Sequence, residues 1–72
     1  MDLVEHSSEE VLRREDAAQR LRDLADQLSR HNKVTFLKEG RRYTVDVPDE
    51  VTLSLEIEVG ADGSEIEVEI TW

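Results

Sequence analysis

The 72-residue chain has no cysteine, one proline, three glycines and three aromatic residues. Without cysteine, disulfide staples and thiolate metal sites are excluded. No apolar run approaches the ~20 residues that cross a bilayer as a helix, so no membrane partner is expected. The N-terminus lacks a basic stretch followed by an apolar one, so no signal peptide is expected and the cytoplasm is the default location. From residue 48 onward there is no lysine or arginine. That third of the chain holds eight of the eighteen acids and would repel a phosphate backbone. With so few aromatics for stacking, nucleic acid is not an expected partner.

What is present is acid, and arginine in preference to lysine. The net charge is −9, with seven Arg against two Lys. Such a surface suits a high-salt cytoplasm, where self-repulsion is screened within a few ångströms. The length allows a single domain, residues 1–72. A domain this small leaves much of its surface wet and usually needs a staple, here idealised packing or a partner subunit.

Residues 1–11 alternate only loosely and predict a short, irregular first strand. Ala17, Ala18, Leu21, Leu24, Ala25 and Leu28 then recur at three- and four-residue spacing. This apolar stripe predicts a helix over 14–31. Glu15 and Asp16 suit its N-terminal end and Arg30 its C-terminal end. Asp16–Arg20, Arg22–Asp26 and Asp26–Arg30 have the spacing of helical ion pairs. Asn32 fits a left-handed C-terminal cap. Arg13 and Arg14 are poor N-terminal caps.

From Lys33 the period falls to two. Val34 and Phe36 form the first run, and Tyr43, Val45 and Val47 the second. Val51 to Val59 form the third, and Ile66 to Trp72 the fourth. Turns are expected at Glu39-Gly40, Pro48-Asp49-Glu50 and Asp62-Gly63. The expected architecture is α+β, with one amphipathic helix packed on a four- to five-strand, mainly antiparallel sheet. The order is β-α-β-β-β-β, and residues 33–72 form an antiparallel meander. Two-residue loops at 39–40 and 62–63 would pair Phe36 with Tyr43, Leu55 with Ile70 and Leu53 with Trp72. A three-residue loop at 48–50 would pair Tyr43 with Leu55 and Val45 with Leu53. Two rows, Phe36–Tyr43–Leu55–Ile70 and Val34–Val45–Leu53–Trp72, would then form the core. On the outer face Arg42 would neighbour Glu56, Glu56 would neighbour Glu69, and Glu58 would neighbour Glu67.

A helix is about 10 Å wide, and four strands at ~4.8 Å spacing span roughly twice that. One helix cannot cover the whole apolar face. Large exposed apolar patches mark interaction sites, so a homodimer or another protein partner is expected. The candidate interface is Leu53, Leu55, Val68, Ile70 and Trp72.

Arg14-Glu15-Asp16-Ala17-Ala18, Leu21-Arg22-Asp23-Leu24-Ala25-Asp26, the turn Val45-Asp46-Val47-Pro48-Asp49-Glu50-Val51 and the Glu/apolar alternation ending at Trp72 together resemble the amphi-Trp domain. Arg13 departs from the capping serine expected there. The resemblance spans nearly the whole chain. It implies a small, acidic haloarchaeal cytoplasmic protein and brings no catalytic residues.

No constellation carries chemistry of its own. The ladder Glu56, Glu58, Glu65, Glu67 and Glu69 has oxygens suited to Ca²⁺ or Mg²⁺, but a flat sheet face spreads its carboxylates apart. His6 and His31 lie far apart in sequence, and Ser7 and Ser8 lack the turn that exposes a nucleophile. Lys38, Arg41 and Arg42 cluster at one turn without a glycine-rich cradle. No catalytic, metal or cofactor residue is expected. The reading is a non-enzymatic, self-associating protein-interaction module. The alternative is a small-ligand or divalent-cation binder using the acidic face or a dimer cleft.

Overall fold

The apolar stripe forms helix α1 (Arg14–Arg30), as the spacing predicts. The computed structural model describes residues 4–72. Arg13 precedes the helix with no side-chain cap, and its carbonyl accepts from the Asp16 and Ala17 N–H groups at 3.0 Å. The helix stops at His31, which is extended (φ −136°), and the His31 N–H donates to the Gln27 carbonyl. Asn32 does not take the expected left-handed cap, since Glu39 is the non-glycine residue with positive φ among those described. The three expected helical ion pairs are not formed. Arg20 instead reaches Glu10 with both guanidinium nitrogens, at 3.0 and 3.3 Å.

Four strands follow: β1 (Lys33–Lys38), β2 (Arg41–Asp46), β3 (Thr52–Val59) and β4 (Ser64–Thr71). Residues 4–13 form neither helix nor strand. The expected first strand is therefore absent over its described part, and residues 1–3 lie outside the described residues. The segment is an arm held by its side chains and backbone. The His6 ring stacks on Phe36 at 5.0 Å, and Lys38 Nζ donates to the Glu5 carbonyl.

The hairpin β1–β2 has the expected register, with Phe36 opposite Tyr43 and Val34 opposite Val45. Glu39 (φ 52°) and Gly40 (φ 76°) both adopt positive φ, the two-residue turn that matches strand twist. Phe36 stacks on Tyr43 at 5.4 Å, and Lys33 pairs with Asp46 at 2.7 Å on the other face. Helix α1 packs on this hairpin through β1.

The strands do not form one sheet. β1 and β2 make one two-stranded sheet, and β3 and β4 make another. The expected pairs Tyr43–Leu55 and Val45–Leu53 are absent. The second turn is displaced as well. The Gly60 N–H donates to the Gly63 carbonyl at 2.9 Å, so the chain reverses over Ala61-Asp62 rather than Asp62-Gly63. A Cβ on Gly60 would meet that carbonyl oxygen at 3.0 Å, tighter than ordinary van der Waals contact, so the turn favours glycine there. The register moves by two residues. Leu53 faces Ile70, Leu55 faces Val68 and Ile57 faces Ile66, and Trp72 lies beyond the ladder.

The displacement also sets which backbone groups face outward. In an antiparallel pair, opposed residues alternate between bonded and non-bonded, and both backbone groups of a residue point the same way. The Val47 N–H donates to the Asn32 carbonyl at 2.7 Å, so the odd residues of β2 point at β1. The outward groups on β2 belong to Arg42, Thr44 and Asp46, whose side chains share the polar face. In β3 the Gly60–Gly63 bond puts the even residues in the bonded class. The outward groups on β3 belong to Leu53, Leu55, Ile57 and Val59, on the apolar face. A regular antiparallel ladder between β2 and β3 would place Thr44 on the same face as Leu55. One continuous apolar face across both hairpins is therefore incompatible with the turns the chain makes.

Val47 is the one buried apolar residue among those described, at 8% exposure. The two predicted core rows are not a closed core. The accessible surface is 7005 Å², whereas a compact monomer of 8.3 kDa presents about 4,600 Å². The radius of gyration is 14.2 Å, against about 11 Å for a compact chain of this length.

Candidate interaction surface

The alternation of Val, Leu and Ile with Glu in residues 51–70 makes β3 and β4 two-faced strands. Pairing them aligns the apolar positions. Leu53, Leu55 and Ile57 on β3 lie directly across from Ile70, Val68 and Ile66 on β4. Leu53 and Leu55 remain 65% and 64% exposed, and no residue of β3 is even half-buried. Four of the five expected interface residues thus form one contiguous patch. The fifth, Trp72, is 60% exposed rather than a core residue. Ile57 and Ile66, paired with each other and exposed, extend the same patch, and the alternation alone places both on this face.

A second apolar surface adjoins the first. An open groove of about 350 Å³ runs between the helix and the two hairpins. Leu21, Leu24 and Leu28 form its helical wall, and Val34, Phe36 and Val45 its floor on the first hairpin. Val68, Ile70 and Trp72 close its far side. No charged residue lines it. The groove thus touches β4 and leaves β3 on the outer side of the molecule.

The opposite face of β3–β4 is acidic. Glu56 faces Glu67, Glu58 faces Glu65 and Ser54 faces Glu69. The expected neighbours Glu56–Glu69 and Glu58–Glu67 are replaced, and Arg42 has no place beside Glu56 because β2 and β3 do not pair. Like charges directly opposed destabilise a hairpin by a few tenths of a kcal/mol or more each. Two Glu–Glu pairs here have no compensating base. Among the described residues, no group of three or more His, Cys, Asp or Glu is gathered closely enough to hold a metal ion. No described helix is long and apolar enough to cross a membrane.

These features define a class: a small α+β domain whose distinguishing surface is an exposed apolar hairpin face backed by an acidic one. The chain belongs to the Amphi-Trp domain family, whose model matches residues 2–72. Comparison with curated proteins and with solved structures found no match.

Proposed function

We propose that this protein is a non-enzymatic, self-associating interaction module of a salt-rich cytoplasm, and that its first partner is a second copy of itself. The observation that carries the reading is the bare apolar face of β3–β4, with Leu53, Leu55, Ile57, Ile66 and Val68 all exposed. Monomers rarely leave so large a patch open to water. The accessible surface of 7005 Å² exceeds that of a compact monomer by about 2,400 Å².

The acidic face supports the salt-rich setting. Its unpaired Glu–Glu neighbours repel each other less when the screening length falls to about 3 Å near 1 M salt. Light scattering on a size-exclusion column, in molar KCl and in dilute buffer, tests the reading. The expected result is a mass near twice 8.3 kDa in molar KCl. A folded monomer at all concentrations in molar KCl would overturn it.

A further inference from the structure

We infer that the two copies join edge to edge through β3, antiparallel across a two-fold axis at Leu55, to make a four-stranded sheet in the order β4-β3-β3-β4. This deepens the self-association proposed above and rests on it.

The backbone supplies the first argument. The outward N–H and C=O groups of β3 belong to Leu53, Leu55 and Ile57, because the Gly60–Gly63 hydrogen bond commits the even residues to β4. An antiparallel partner must offer outward groups on residues of the same face. β2 does not, since its outward groups belong to Arg42, Thr44 and Asp46. A second β3 does. β3 paired with its own copy keeps every leucine and isoleucine on one face and every glutamate on the other. Unpaired strand edges are templates for this kind of addition.

Position within the molecule is the second argument. The apolar groove engages β4 through Val68 and Ile70 and touches no residue of β3. The edge of β3 is thus the outer one. A β3–β3 seam leaves each groove where it already lies, at the flanks of the joined sheet. The two-fold seam is closed on itself, so each β3 edge is used once.

Charge and strand overlap together select the register. With Leu55 opposite the partner's Leu55, Leu53 meets the partner's Ile57 and Val51 meets the partner's Val59. On the acidic face Ser54 then meets the partner's Glu56, and Thr52 meets the partner's Glu58. No carboxylate faces another across the seam. Sliding to the next allowed register sets Glu56 against the partner's Glu56, and one further step sets it against the partner's Glu58. Each is disfavoured by like-charge repulsion, while sliding the other way sets Ser54 against the partner's Ser54 and shortens the overlap of β3 (Thr52–Val59) with its copy.

Two experiments test the seam. Leu55→Pro removes an N–H that the β3–β4 ladder does not use, and proline is tolerated on such an edge. It should leave the far-ultraviolet circular dichroism unchanged and lower dimer affinity at least tenfold by light scattering in molar KCl. The chain has no cysteine of its own, so introduced thiols report cleanly. Under mild oxidation, Val51→Cys mixed with Val59→Cys should give a disulfide-linked pair, while neither alone should. Leu55→Cys alone should cross-link, since bonded antiparallel partners sit about 5.5 Å apart. An undiminished Leu55→Pro dimer, or a mixture that links no faster than the single variants, would overturn the seam while self-association stands. A monomeric parent chain would overturn both.

Discussion

The two hairpins of this protein are built from the same alternation and meet different fates. β1–β2 has strands of six residues and lies under the helix, with Val34, Phe36 and Tyr43 half-buried. β3–β4 has strands of eight residues, carries more branched apolar side chains, and buries almost none of them. The difference lies in what covers each. One helix about 10 Å wide spans two strands at ~4.8 Å spacing, and the first hairpin takes that cover, with the His6 arm laid over Phe36. Charge follows the same division. Residues 33–46 hold four basic residues against two acidic, whereas residues 52–72 hold six acidic and none basic. Apolar patterning states that a face will be buried. It does not state that the same chain will bury it.

Substitutions should separate the two hairpins by the kind of loss they produce. The largest effect is expected from Leu55→Glu, which places a carboxylate in the apolar face of β3. Dimer affinity should fall by on the order of 3 kcal/mol or more, read as a monomeric mass in molar KCl with the helical signal retained. If Leu55→Glu instead unfolded the chain at concentrations where the parent is dimeric, folding and association would be one process.

Phe36→Ala tests the first hairpin. It removes a half-buried ring stacked between His6 and Tyr43. We expect a loss of about 2 kcal/mol, below the range for fully buried phenylalanine. The melting temperature should drop without any new dependence on protein concentration. Trp72→Ala should lower stability by about 1 kcal/mol by opening the groove it helps to line, with association unchanged because Trp72 lies on the groove side of β4. A weaker dependence of the melting temperature on protein concentration would instead place Trp72 inside the interface.

Glu67→Lys replaces the like-charge pair with Glu56 by an opposite-charge one. A gain of about 0.5 kcal/mol is expected in dilute buffer, fading in molar salt as screening removes it. The smallest effect should come from Arg20→Ala. Its pair with Glu10 is well exposed, with side chains 62% and 46% accessible, and such pairs contribute at most a few tenths of a kcal/mol. Melting curves of this variant should overlay the parent's.

Helix α1 was legible because six apolar residues at helical spacing admit one reading, and its end fell within a residue of the expected 31. The first hairpin was legible because its loop falls at the expected Glu39-Gly40, and the turn alone dictates every pair in the ladder. The second misleads, because Asp62-Gly63 is by composition the stronger hairpin signal and the chain turns one position earlier. Gly60 and Gly63 bracket two candidate reversals, and the close approach that selects Ala61-Asp62 exists only in three dimensions. The candidate patch survived that error because a two-residue shift returns each side chain to the same face. The arm over 4–13 could not be read at all. Its anchors are the Glu10–Arg20 pair and the His6–Phe36 stack, and no periodicity announces either.

The sequence by itself determined the helix and the four strands after it, their faces and the surplus of apolar surface, because period, turn residues and the width of one helix are local or additive properties. Only the tertiary structure decided that four strands make two sheets. That outcome depends on whether the outward backbone groups of β2 and β3 belong to side chains of the same face. A single-position displacement of a distant turn changes the answer.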